Sequence, residues 1–195
     1  MKQSAPVESM RGSLLVATPA LTEPTFARTV ILLLEHSAAD GALGVVVNRP
    51  TQAPLADVIP AVEELATEPR VLFEGGPVSR TTAIGLGALD ARAIASGASA
   101  EGWSPVVPPL ATIDLDHDPV LLAASLRALR VFAGYAGWSP GQLEGEIAEG
   151  SWYVVDALPD DPFVRDPARL RTVVLRRQGW PLSAAAHSPI DPTLN

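Results

Sequence analysis

The sequence predicts an α/β fold on three observations. The runs 29–35 (TVILLLE) and 42–47 (ALGVVV) are almost continuously apolar, the pattern of strands buried on both faces. The HSAADG between them carries an Asp40-Gly41 turn signal, so the two pair as an antiparallel hairpin. A sheet covered on both faces needs layers above and below it, and the patterns at 118–130 and 168–177 read as helices.

The elements follow in order. Ser13–Ala17 (SLLVA) is a first strand, then comes the hairpin. The segment 54–65 is a weak helix broken by Pro60. Val71–Phe73 and Thr82–Leu86 are strands, 96–109 is a Gly, Ser and Pro-rich loop, and 110–115 is a strand. Asp118 caps a helix over 118–130, with Pro119 in its first turn, Leu122, Leu126 and Leu129 on one face, and Arg127 and Arg130 in its last turn. A strand at 131–135, a helix ending before Gly150 and a strand at 152–155 follow. The loop 156–167 is rich in Asp and Pro, and 168–177 is a helix with Leu170, Val173 and Val174 inward.

Composition limits the function. With 195 residues, 47% of them hydrophobic, and a mean hydropathy of +0.21, the chain can bury one sizeable core. One domain over 12–178 is expected, between a flexible N-terminal tail (1–11) and an extended C-terminal tail (179–195). The apolar runs are too short for a membrane span, and the one after Arg11 is too short for an export signal. The absence of cysteine excludes disulfides, thiolate metal sites and cysteine catalysis, and fits the cytoplasm. A net charge of −8 opposes duplex nucleic acid, and the arginines at 165–177 read as the wet face of a core helix.

The segment GWSPG at 137–141 matches the G-x-S-x-G nucleophile elbow, with Asp156, Asp160, Asp161 and His187 following in hydrolase order. Pro140 argues against it. The residue after the nucleophile donates its backbone N–H to the oxyanion, and proline has none. The residues fit a helix start instead. Ser139 is the N-cap, Pro140 the first helical residue, and Gln142 completes a capping box. Leu143 and Ile147 then face the core, and Glu144, Glu146 and Glu149 face water.

Four segments together carry a resemblance. They are Gly12–Pro50, GGPV at 75–78, GYAGWSPGQLEGEI at 134–147 and WYVVDA at 152–157. In them the chain resembles the YqgE/AlgH family of small bacterial proteins over about 12–177, and its DPTLN ending resembles the tails of actinobacterial members. The resemblance implies a bifurcated mixed sheet curled into a pseudo-barrel with flanking helices. It implies no established enzymatic activity and no agreed catalytic residues. One branch of the family carries a transcriptional-regulator label.

The remaining constellations each have two readings. Asn48-Arg49-Pro50 ends a buried strand, where ligands of α/β sheets commonly sit, and Gly75-Gly76 either makes a tight turn or offers backbone donors to an anion. Asn48, Arg49, Gly75 and Gly76 are therefore the ligand-binding candidates, set against the plainer reading that Arg49 pairs with Glu35 or Glu74. DLDHD (114–118) lacks the glycine and the final glutamate of a calcium loop and reads as a solvated acidic loop. The three histidines have no ligand spacing. No catalytic residue, metal or cofactor is expected. The chain is expected to be a cytoplasmic, non-enzymatic protein that meets a protein partner or small ligand, with no membrane and no sequence-specific DNA binding. The alternative is an enzyme or small-anion-binding protein that uses the four strand-end residues.

Overall fold

The computed structural model describes residues 9–95 and 102–186. Its strands are β1 (Ser13–Ala17), β2 (Val30–Ser37), β3 (Gly41–Val46), β4 (Pro50–Pro54), β5 (Val71–Glu74) and β6 (Val78–Leu89). They continue with β7 (Trp103–Val107), β8 (Leu110–Ile113), β9 (Leu126–Trp138) and β10 (Trp152–Asp156). The helices are short: α1 (Leu55–Val58), α2 (Ala91–Ala95), α3 (Pro119–Ala123), α4 (Gln142–Ala148), α5 (Leu170–Arg176) and α6 (Leu182–Ala185).

The main path of the sheet is β10-β1-β2-β3-β9-β6-β8-β7, and it forks at β9. The last residues of β9 pair antiparallel with β3, and Phe132 and Ala133 pair in parallel with β5 along the same strand. The first two-thirds of β9 pairs antiparallel with β6. The sheet then curls until its ends approach: the Arg11 guanidinium donates to the Pro105 carbonyl, and Gly12 lies against Val107. This is the mixed, curled sheet with flanking helices that the sequence resemblance implies.

Alternation along the strands explains the two-face burial. Leu14, Val16, Val30, Leu32 and Val45 point into the curl, where they meet Phe73, Phe132 and the buried side of α5. Leu15, Ala17, Ile31, Leu33 and Val46 point outward beneath α4 and the 18–29 loop. A third cluster, with Leu89, Leu129 and Val131, lies under α1, α3 and the 3-10 turn Pro60–Leu65. Each fully buried Leu, Ile or Val stabilises the fold by about 1.5–3 kcal/mol. The hairpin forms as expected, with a bulge between Leu33 and Glu35. Gly41 closes it at φ +88°, where a Cβ would stand 2.1 Å from the Trp138 carbonyl.

Several expectations are corrected. The helix expected over 118–130 is only α3; from Leu126 the chain is strand, because pairing with β6 outweighs the leucine spacing. The Asp118 cap is present, its side chain accepting from the Val120 N–H at 2.8 Å. Trp103–Val107 is a strand where a loop is expected, and residues 96–101 lie outside the described residues. Val173 is exposed and Arg171 is buried in its place. The expected extended tail from 179 starts with the helical turn α6, whose neighbour Ala186 joins the inner core, and 187–195 lie outside the described residues.

Candidate functional site

The strand-end residues are brought together as neighbours. The Glu74 N–H donates to the Arg49 carbonyl at 2.9 Å, and the Val46 N–H donates to the Gly75 carbonyl at 2.8 Å. Their side chains turn away from any common cleft. Asn48 Oδ1 accepts from the Val30 N–H and Asn48 Nδ2 donates to the Arg28 carbonyl, so this amide ties β3 to the loop before β2. Arg49 grips the same loop through the carbonyls of Thr25 (2.6 Å), Pro24 (2.8 Å) and Ala27 (3.3 Å). It forms no ion pair among the described residues, and Glu74 pairs with Arg80 at 3.1 Å instead. Gly75 and Gly76 pass so close to β9 that a Cβ on either would stand 2.2 Å from the backbone of Gly134 or Tyr135. That approach requires glycine at both positions.

The opening of α4 is built differently from the expected capping box. Gly141, at φ +77°, is the N-cap, and no side chain caps the helix. Half of the box is present, because Gln142 Oε1 accepts from the Ser139 N–H at 3.0 Å. The Ser139 hydroxyl is exposed and has no hydrogen-bond partner among the described residues, so no base activates it.

The glutamates of α4 are not solvated as expected. Glu146 Oε2 accepts from the indole N–H groups of Trp138 (2.9 Å) and Trp152 (2.8 Å), and Glu146 Oε1 accepts from Gln142 at 3.0 Å. The two indoles meet edge to face, with centroids 6.1 Å apart. Glu144 accepts from His36 Nε2 at 3.0 Å. His36 Nδ1 in turn accepts from the Met10 N–H at 3.1 Å, so the ring carries its proton on Nε2. Both ring nitrogens are occupied, and His36 has no free lone pair to act as a base or to bind a metal. Beside it lies a cleft of about 400 Å³ lined by Arg11, Glu35, Ser37 and Asp40. A second cleft of about 320 Å³, sharing Arg11, follows the closing seam past Val107 and Asp156.

Two buried arginines went unread in the sequence. Arg130 lies over the Phe73 ring at 4.3 Å and donates to the carbonyls of Glu68, Pro162 and Val164. Burial lowers its guanidinium to about 10, so it stays charged at neutral pH. Arg171 donates to the carbonyls of Ala17 and Ala185 and is also lowered, first by burial and then by the Arg28 charge. The available signal was the alternation through ALRVFAGY, which puts position 130 on an inward face. No cluster of His, Asp or Glu able to hold a metal occurs among the described residues.

The comparisons agree with this architecture. A family model described as AlgH-like (DUF179) matches residues 14–183. A UPF0301 protein of Streptomyces avermitilis is 49% identical over 189 residues, covering 97% of both chains. One from Mycobacterium tuberculosis is 46% identical over 184 residues, 94% of this chain and 90% of that one. A crystal structure of a Corynebacterium diphtheriae protein superposes with a TM-score of 0.85 at 32% identity, covering 95% and 94% of the two chains. The solution structure of AlgH from Pseudomonas aeruginosa gives 0.67 at 31% identity, covering 97% and 98%.

Proposed function

This chain belongs to the AlgH-like family, and from that premise we propose that it works by non-covalent binding of a protein partner in the cytoplasm. The observation that carries the reading is the use of its reactive side chains. His36, Glu144, Glu146, Asn48 and Arg49 are all held by bonds within the fold, and Ser139 stands without a base. A hydrolase needs a nucleophile and base in contact and an oxyanion donor, and Pro140 removes that donor. Any link to gene regulation then runs through protein contact, since the charge of −8 opposes duplex DNA. No helix among the described residues is long and apolar enough to cross a membrane. The test is incubation with an active-site phosphonate probe followed by peptide mass spectrometry. Unmodified Ser139 is the expected result, and a stoichiometric adduct there overturns the reading.

A second reading is an anion site at Asn48, Arg49, Gly75 and Gly76, favoured by the backbone bonds from Glu74 to Arg49 and from Val46 to Gly75 that set the two segments side by side. Thermal melts in chloride and phosphate at matched ionic strength, on wild type and Arg49→Ala, decide it. With Arg49 held by three carbonyls, the expected anion response is the same in both proteins. A phosphate increment lost only in Arg49→Ala establishes the site.

A further inference from the structure

His36 holds residues 9 and 10 to the rest of the fold. Among the described residues, each hydrogen bond that does so ends on it. The Ser9 hydroxyl donates to the His36 carbonyl at 3.0 Å, and the Met10 N–H donates to His36 Nδ1 at 3.1 Å. Their other bonds are local, from the Arg11 N–H to Ser9 Oγ and from the Ser13 N–H to the Met10 carbonyl. Beyond Met10 the chain is fixed without the ring. The Gly12 N–H donates to the Leu33 carbonyl, and the Arg11 guanidinium donates to the carbonyls of Leu34 and Pro105. The anchorage of residues 9 and 10 therefore passes through one titratable residue.

The ring is enclosed, its side chain 1% exposed, and Nε2 donates to Glu144 Oε1 at 3.0 Å. Nδ1 accepts only while it carries no proton. A second proton there sets two N–H donors against each other, and an enclosed ring has no water with which to part them. The surrounding charges favour that proton. Glu144 faces the ring from α4, and Glu35 on β2 and Asp40 in the β2–β3 turn line the adjoining cleft, where Arg11 is the single opposing cation. β3 sets Ala42 against His36 and β9 sets Trp138 against Ala42, neither of them charged. The bond from Nε2 to Glu144 survives protonation and strengthens as the ring becomes charged. The ring then stays in place, and Met10 is the partner that must leave.

We propose that His36 is a proton-operated latch: neutral, it fastens Ser9 and Met10 to the fold, and protonated, it releases them and bares the outer cluster where Met10 packs. The latch stands apart from the binding reading above and does not rest on it. Its direction follows from linkage. The released state takes up the second proton without losing a bond, whereas the latched state must give up the Met10 bond, so falling pH favours release.

The test follows ring and amide together by nuclear magnetic resonance from pH 8 to pH 5, the range in which histidine side chains change charge. Nitrogen-15 shifts of the His36 ring report its tautomer and charge. Amide hydrogen exchange, corrected for the intrinsic rate at each pH, reports the latch. At pH 8 the expected state is an Nε2–H ring with a protected Met10 amide. As the ring gains its second proton, Met10 protection falls about tenfold or more, while Leu15 and Leu32 inside the sheet keep theirs. His36→Asn supplies an amide oxygen near the place of Nδ1 that does not titrate, so its Met10 protection is expected to be independent of pH. Glu144→Gln, at a partly exposed position, removes the charge that favours the imidazolium and moves release to lower pH. The wild-type and Glu144→Gln measurements decide the question even where His36→Asn fails to fold. Met10 protection that stays constant while the ring gains its second proton overturns the latch. So does a ring that stays neutral down to pH 5, an Nδ1–H tautomer at pH 8, an undiminished acid release in His36→Asn, or release at unchanged pH in Glu144→Gln.

Discussion

At the scale of single residues, the sequence told least about the groups whose partners come from distant backbone. Arg130 was read as a helix-end cation, yet it is 1% exposed and holds carbonyls from positions 68, 162 and 164. No spacing rule foretells a carbonyl brought in by tertiary folding. Arg130→Met strips these three acceptors of their donor and is expected to lower stability by about 2–4 kcal/mol in urea unfolding. The pH behaviour follows from the lowered guanidinium. A base whose folded value, about 10, lies well below the ordinary value of an arginine binds its proton less tightly in the native state. Its contribution is therefore constant below about pH 9 and turns in favour of the fold only as pH rises through 10. The Arg130→Met deficit should accordingly be equal at pH 6 and pH 8.5, and a deficit that changes steeply in that range contradicts the assignment. Glu146→Ala leaves two indole N–H groups without an acceptor and should cost about 3 kcal/mol, with altered emission from Trp138 and Trp152. Wild-type stability in that variant shows that the carboxylate bonds are not maintained in solution.

At the scale of elements, the strands were legible where both faces are apolar, and the helices were less so. The hairpin of β2 and β3 could be read directly, because continuous apolar runs joined by Asp-Gly leave few alternatives. The 118–138 segment could not. Leucines at 122, 126 and 129 satisfy a helical period, and Leu129 with Val131 also satisfies a strand period. The partner strand β6, distant in sequence, decides between them. At the start of α4 the sequence showed half the answer: Gln142 reaches back to the Ser139 N–H, and Gly141 rather than Ser139 is the N-cap. Ser139→Ala should therefore change stability by less than about 0.5 kcal/mol, whereas Gln142→Ala should cost about 1 kcal/mol. A larger loss from Ser139→Ala than from Gln142→Ala in the same urea titration restores the serine cap.

At the scale of the whole molecule, fold and family were legible because four long segments keep their order and spacing over most of the chain. The candidate site was legible only as a location. The sequence placed Asn48, Arg49, Gly75 and Gly76 at strand ends that do adjoin, and it did not reveal that the Arg49 guanidinium turns to the loop at 24–27. With a charge of −8, sequence-specific duplex binding is not expected. Fluorescence anisotropy near physiological salt should show at most weak, salt-sensitive association, and nanomolar sequence-dependent affinity contradicts this. The central claim is that the protein functions by binding rather than by chemistry at Ser139. Affinity capture from native lysate tests it most directly, with mass spectrometry of both proteins and small molecules on wild type and Ser139→Ala. The account predicts protein recovered equally with both forms and an unmodified Ser139 peptide. A small-molecule adduct on Ser139, with no protein enriched over an unrelated bait, contradicts it.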